Sequence, residues 1–210
     1  LWYGYKKGER DSIIDIVRTR MLDTDQDSNE KEISTGTDEV SVMIKNRLEE
    51  RKNYDDSKKF YTETLNKIRP ESIIEAGMLS YYSFLNLIEF VKKHKPSPYT
   101  NEWIYGKIAV GGDGDDVYEG KYFLIIDTGG NDTYRLNNID QRFSYVIDLE
   151  GNDMYISDQF GPASAFNGVS FLYDGKGDDI YDCKDFSLAS SLFGFTVLLD
   201  ESGNDRYLSL

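Results

Sequence analysis

The chain has 210 residues, room for two modest domains, and carries 24 Lys+Arg against 38 Asp+Glu, a formal charge of −14. The excess is uneven: residues 1–104 hold 17 basic against 19 acidic side chains, and residues 105–210 hold 7 against 19. A field of that sign over the second half repels nucleic acid and anionic membrane and attracts cations, so nucleic-acid binding is the first function class excluded.

In chain order, residues 11–22 read as a helix, with Ile13, Ile14, Ile16, Val17 and Met21 on one face and Asp11 or Ser12 as its cap. A polar loop follows, and then a charged helical stretch over 38–68 that carries Val40, Met43, Ile44, Leu48, Phe60, Tyr61, Leu65 and Ile68. Pro70 suits the first position of the next helix, residues 71–94. That helix is the most apolar of the three, through Ile73, Ile74, Met78, Leu79, Tyr82, Leu85, Ile88, Phe90 and Val91, and is expected at the centre of a small helical bundle or cap. Pro96 and Pro98 break the pattern and mark a semi-rigid linker, 95–102. From Trp103 onward the apolar runs shorten to strand length, at 108–110, 123–126, 145–147, 171–173 and 196–199. The expected fold is therefore α+β: a helical segment over 1–94, the linker, and an all-β repeat domain over 103–210.

Each strand run is stopped by nearly the same motif. The copies are Gly-Gly-Asp-Gly-Asp-Asp-Val-Tyr (111–118), Asp-Thr-Gly-Gly-Asn-Asp-Thr-Tyr (127–134), Asp-Leu-Glu-Gly-Asn-Asp-Met-Tyr (148–155), Asp-Gly-Lys-Gly-Asp-Asp-Ile-Tyr (174–181) and Asp-Glu-Ser-Gly-Asn-Asp-Arg-Tyr (200–207). A site repeated five times is no single catalytic centre; it is a structural device or a ligand site used once per coil. From copy to copy the interval lengthens, and it then holds constant over the last two coils, 148–174 and 174–200. Those two coils agree beyond the motif, with Phe160, Ala163, Ser164 and Gly168 matched by Phe186, Ala189, Ser190 and Gly194. That pattern suits a parallel β-solenoid in which the short first interval omits a loop; a run of antiparallel hairpins closed by the Gly-Asn turn is the alternative.

In a parallel stack, neighbouring coils lie roughly 4.8 Å apart, so equivalent residues form columns. One column is Asp127, Asp148, Asp174 and Asp200; a second is Asp116, Asp132, Asp153, Asp179 and Asp205; a third mixes Asp115, Asn131, Asn152, Asp178 and Asn204. Like charges at that spacing repel by about 1 kcal/mol per pair even in water. Two outcomes relieve this: the carboxylates accept backbone N–H groups as turn caps, or a hard cation sits among them. The nine residues of the first two columns are the candidate metal ligands.

The first copy, extended to Glu119, matches the Gly-Gly-x-Gly-x-Asp-x-U-x nonapeptide of the RTX proteins, which it resembles; the other four keep the second half and carry Asp in place of the first Gly. RTX repeats follow one another in unbroken tandem, whereas these recur at wider and uneven intervals, and the likeness covers about 40 residues. The resemblance implies a secreted, calcium-binding parallel β-roll, with Asp116, Asp132, Asp153, Asp179 and Asp205 as ligands. It also implies that Tyr118, Tyr134, Tyr155, Tyr181 and Tyr207 point inward.

Other signals are weaker. Asp23, Asp25 and Asp27 begin like an EF-hand loop, but Ser28 and Ser34 stand where Gly and Glu belong. His94, the single histidine, reads as a solvated helix end among Lys92, Lys93 and Lys95; Cys183, the single cysteine, excludes an internal disulfide. Little is left from which to build nucleophilic catalysis, so the reading leans away from an enzyme. Leu1 is not Met and Leu210 falls just after a repeat tyrosine, so the expectation is a piece of a longer parent chain, truncated at its C-terminal end. The expected function is a non-enzymatic extracellular or cell-surface structural and adhesion module. Its expected partners are Ca²⁺, a polysaccharide or a cell-surface protein, and the rest of the parent chain, with no nucleic acid and no membrane span in this piece. The competing reading is a carbohydrate-active or carbohydrate-binding β-helix using Asp178, Asp179, Asp182 and Asp185 beside Tyr173 and Tyr181.

Overall fold

The structure, a computed structural model, describes residues 69–138 and 141–208 together with residues 42, 45–48, 51, 52, 58, 59 and 62. Two compact units divide the chain, Leu1–Arg69 and Pro70–Leu210. In the first, the described residues from 42 to 62 are helical and exposed, and Thr62 Oγ1 donates to Lys58 O at 2.9 Å, one helical turn back. The helix expected over 11–22 and the Asp23, Asp25, Asp27 loop lie outside the described residues.

The second unit opens with helix α1, Pro70–His94, whose first residue has φ set by its ring and lacks only an N–H that a first turn leaves unused. Glu71 in the first turn and Lys92, Lys93 and His94 in the last oppose the helix dipole. Its buried residues, Ile73, Gly77, Phe84, Ile88 and Val91, recur every three, four or seven positions and so share one face. Lys95 then turns left-handed, with φ 35°, ahead of Pro96. Among the described residues no helix is long and apolar enough to cross a membrane.

Strands β1 (Tyr99–Trp103) and β2 (Gly106–Val110) form an antiparallel hairpin. Beyond it, β2 is followed across the first sheet by β4 (Tyr122–Asp127), β6 (Phe143–Asp148), β9 (Val169–Asp174) and β12 (Phe195–Asp200), each pairing parallel with the last. The second sheet is parallel throughout, in the order β3 (Val117–Gly120), β5 (Thr133–Leu136), β7 (Met154–Gln159), β10 (Ile180–Asp185) and β13 (Arg206–Leu208). The short strands β8 (Ala165–Phe166) and β11 (Ser191–Leu192) pair in a third sheet, and they occur only in the two longest intervals between motifs, 148–174 and 174–200. The chain thus alternates between sheets, and parallel pairing replaces the hairpin alternative everywhere except β1 and β2.

Period-two alternation assigns the faces. Ile125, Val146 and Leu172 of the first sheet meet Tyr118, Tyr134, Tyr155 and Tyr181 of the second in one buried core. Ile126, Ile147, Phe171 and Tyr173 point the other way, against Phe84, Ile88 and Val91 of α1. The apolar helix therefore covers a sheet instead of centring a helical bundle, and it belongs to the same compact unit as the strands. The expected boundary at 94 falls inside that unit, and the linker shrinks to 95–98.

Candidate metal centres

The registers align the predicted columns. Asp127, Asp148, Asp174 and Asp200 are strand partners in succession along the first sheet, and the five repeat tyrosines are partners along the second. The tyrosine rings stack face to face: centroids lie 5.1, 4.6, 4.7 and 4.5 Å apart from Tyr118 to Tyr207, with planes within 17° of parallel. Their hydroxyls donate to the first aspartate of the following repeat: Tyr118 to Asp127 at 2.5 Å, Tyr134 to Asp148, Tyr155 to Asp174 at 2.7 Å and Tyr181 to Asp200 at 3.2 Å. Tyr207, on edge strand β13, continues the stack and donates to Asp200 of its own repeat at 2.6 Å, with its ring half exposed.

The second column forms a ladder of its own. Asp132 Oδ1 accepts the Asp116 N–H at 2.6 Å, Asp153 Oδ1 the Asp132 N–H at 2.7 Å, Asp179 Oδ1 the Asp153 N–H at 2.7 Å, and Asp205 Oδ1 the Asp179 N–H at 3.0 Å. The mixed column runs outside it on the exposed turns, each side-chain oxygen accepting the next repeat's N–H at 2.8–3.0 Å from Asp115 to Asn204. Between these two ladders the turn glycines press against backbone: a Cβ at Gly151 would fall on Gly130 O, and one at Gly177 on Gly151 O. Turn capping, one of the two expected outcomes, is thus realised in every coil.

Capping uses only one oxygen of each second-column carboxylate. Asp132 Oδ2, Asp153 Oδ2, Asp179 Oδ2 and also Asp174 Oδ1 are buried without a hydrogen-bond partner, in residues no more than 1% exposed. An orphaned buried carboxylate oxygen costs several kcal/mol unless it is protonated or meets a cation. Burial is the first cause of the titration shifts, pushing Asp148 up to about 10, Asp132 and Asp174 up to about 8, and Asp153 and Asp179 up to about 6. Burial likewise raises Asp127 and Asp200, and like-charged neighbours in the stack add to it.

Three groups bring carboxylate oxygens within 4.8 Å of one another: Asp132, Asp148 and Asp153; Asp153, Asp174 and Asp179; Asp179, Asp200 and Asp205. Each joins successive repeats although the intervals between those repeats differ in length, because the extra residues go into loops and leave the register of the stack unchanged. Of the nine predicted ligands, Asp116 and Asp127 fall outside these groups. Compared with family models, curated proteins and solved structures, the chain matches none. The residues carry the site without a relative to name it.

The residues of the carbohydrate reading are scattered. Tyr181 lies in the core and Asp182 next to it on the solvent face; Tyr173 points toward α1 and bonds Glu201; Asp178 is on the turn ladder and Asp185 is exposed. His94 is exposed, stacked on Phe90, with Nδ1 2.9 Å from Phe90 O, and Cys183 is buried in the core. What the sequence reading missed is the link from each tyrosine to the following repeat's aspartate. The constant spacing from motif Asp to motif Tyr signals that the two belong together, but not across which repeat.

Proposed function

We propose that the chain is a non-enzymatic structural module of an extracellular or cell-surface protein, an adhesion-type scaffold built as a parallel β-solenoid and stabilised by Ca²⁺. The observation that carries this reading is the use made of the repeated residues: aspartates, tyrosines and glycines all serve contacts between successive repeats. Among the described residues, the carboxylates that glycosidic chemistry would need as a facing pair are consumed in those contacts or stand apart on separate faces. An extracellular setting follows the resemblance to secreted calcium-binding repeats, and the acidic second half fits a protein held together by ions instead of disulfides. A polysaccharide or a cell-surface protein is the partner that such a scaffold would present itself to.

The test is a melting curve in EDTA against millimolar Ca²⁺ at constant ionic strength. An ion that binds only the folded state stabilises it by about 2.7 kcal/mol per site at a hundredfold excess over Kd. A marked rise in Tm is expected, with Mg²⁺ a poor substitute because it holds its waters and demands strict octahedral geometry. Asp153→Asn weakens the response and Asp27→Asn leaves it intact. Coincident curves would remove calcium from the reading.

A further inference from the structure

The turn loops are where the RTX likeness points for an ion, and in this chain the unpartnered oxygens of those turns and of the strand end before them are buried. We propose that the cation sites are three interior centres, Asp132–Asp148–Asp153, Asp153–Asp174–Asp179 and Asp179–Asp200–Asp205, and that the first repeat has none; this rests on the calcium reading above. Each centre takes one second-column aspartate from one repeat and both aspartates of the next. The first-column aspartate, which the RTX nonapeptide replaces with Gly, is thus the residue that turns a capped turn into a ligand set.

Three observations place the ion there. Asp132 Oδ2, Asp153 Oδ2, Asp174 Oδ1 and Asp179 Oδ2 are the buried oxygens without partners, and every one of them belongs to a residue of these centres. Oxygens lying within 4.8 Å of one another can share one ion at the Ca²⁺ ligand distance of about 2.3–2.6 Å. The charge also comes close to balance, because three divalent ions carry +6 against the seven carboxylates of the centres.

The first repeat is built differently. Gly111 stands where the others carry Asp, and a side chain there would fall on the Asp127 carboxylate and the Tyr118 hydroxyl. Asp116 is exposed, and neither it nor Asp127 joins a group of close carboxylate oxygens. The three centres also differ in access. Asp132, Asp148, Asp153, Asp174 and Asp179 are sealed, while Asp200 and Asp205 are only half-buried. Two ions should therefore exchange slowly and the third quickly.

Tb³⁺, an oxygen-seeking probe of similar size to Ca²⁺, reads all of this on the intact chain. The hydroxyls of Tyr134, Tyr155, Tyr181 and Tyr207 bond the ligand aspartates directly, so excitation of the tyrosine stack should sensitise the bound ion. Titration should saturate at three ions per chain, with two slow dissociation phases and one fast one on adding EDTA. Asp148→Asn, Asp174→Asn and Asp200→Asn should each lower the count, and Asp116→Asn should leave three. Luminescence lifetimes in H₂O against D₂O on the unaltered protein should show fewer bound waters than an exposed turn site allows, which keeps the test independent of how the variants fold. Five ions per chain, well-hydrated ions, or a count lowered by Asp116→Asn and not by Asp148→Asn would overturn the interior assignment while leaving calcium binding in place. Absence of any bound ion would overturn both.

Discussion

Replacing Tyr155 with Ala removes the middle of the tyrosine stack. The ring is fully buried, lies 4.6 Å from the Tyr134 ring and 4.7 Å from that of Tyr181 with planes 10° and 5° from parallel, and its hydroxyl holds Asp174 at 2.7 Å. Loss of a large aromatic from a site that cannot collapse costs about 3–5 kcal/mol. Tyr155→Phe keeps both stacking contacts and removes only the hydroxyl, so it should cost about 1.5–3 kcal/mol, the range for a hydrogen bond to a charged acceptor. Tyr207→Ala supplies the internal comparison, because that ring is half exposed and stacks on one neighbour only; its cost should be well under half that of Tyr155→Ala. Urea denaturation of the three variants and the parent, in the same Ca²⁺-containing buffer, gives the values directly provided m stays constant. A loss below about 1 kcal/mol for Tyr155→Ala, far under the range for a buried ring, or equal losses at 155 and 207, would refute the view that this column is core.

The stack should also respond to pH in EDTA. Burial raises the titration of Asp153 and Asp179 to about 6 and of Asp132 and Asp174 to about 8; such groups stabilise fully below the ordinary carboxylate range and lose that contribution as pH rises through the raised values. Tm measured without Ca²⁺ should therefore fall between pH 5 and 8, and saturating Ca²⁺ should flatten the slope; a Tm that rises with pH in EDTA would contradict it. Gly151→Ala places a Cβ on Gly130 O and should destabilise by about 1–3 kcal/mol or more in the same urea assay, whereas Gly114→Ala, which meets nothing within 4 Å, should be nearly silent. Phe84→Ala, which empties the contact with Phe171 (centroids 5.3 Å apart), should cost about 3–5 kcal/mol and confirm that α1 is part of the β unit; a silent change would separate them.

Much of this architecture is legible in the repeat itself, because a motif with fixed Asp-to-Tyr spacing leaves a parallel stack little freedom in register. The three columns, the inward tyrosines and the burial of Ile126, Ile147 and Tyr173 on the opposite face all follow from two-residue alternation once the strands are parallel. The destination of α1 is not legible, since an apolar helical stripe is the same whether it meets helices or a sheet. Nor are the corners: Phe160, Ala163 and Asn167 adopt left-handed backbone, and so do Phe186, Ala189 and Phe193 at the equivalent positions one coil further on. The matched spacing shows that these positions repeat, but nothing about a phenylalanine or an alanine announces positive φ, which costs such residues roughly 1–2 kcal/mol. Contacts of one repeat with the next hold them there, seen in the Phe160 and Phe186 rings at 5.4 Å and 9° and in the Phe160 N–H donated to Asp185 O at 3.1 Å.

Buried carboxylates are an expensive way to fill a core, and apolar side chains of the same size would often be more stable. Their use here has a geometric reason. Strands of near-identical pattern can pair in register or slide, and an apolar interior tolerates the slide. A tyrosine hydroxyl that must reach the next repeat's Asp, and an Asp oxygen that must reach the previous repeat's N–H, tie each coil to both neighbours through bonds pointing in opposite directions. A slip of one position would orphan both and carry the aspartates to the wrong face. The second oxygens of Asp132, Asp153 and Asp179 have no such partner within the chain, so satisfying them falls to protons below their raised titration range or to cations above it. On the proposed calcium reading, the fold is complete only in the presence of the ion, and the rigidity of the scaffold follows the cation content of its surroundings.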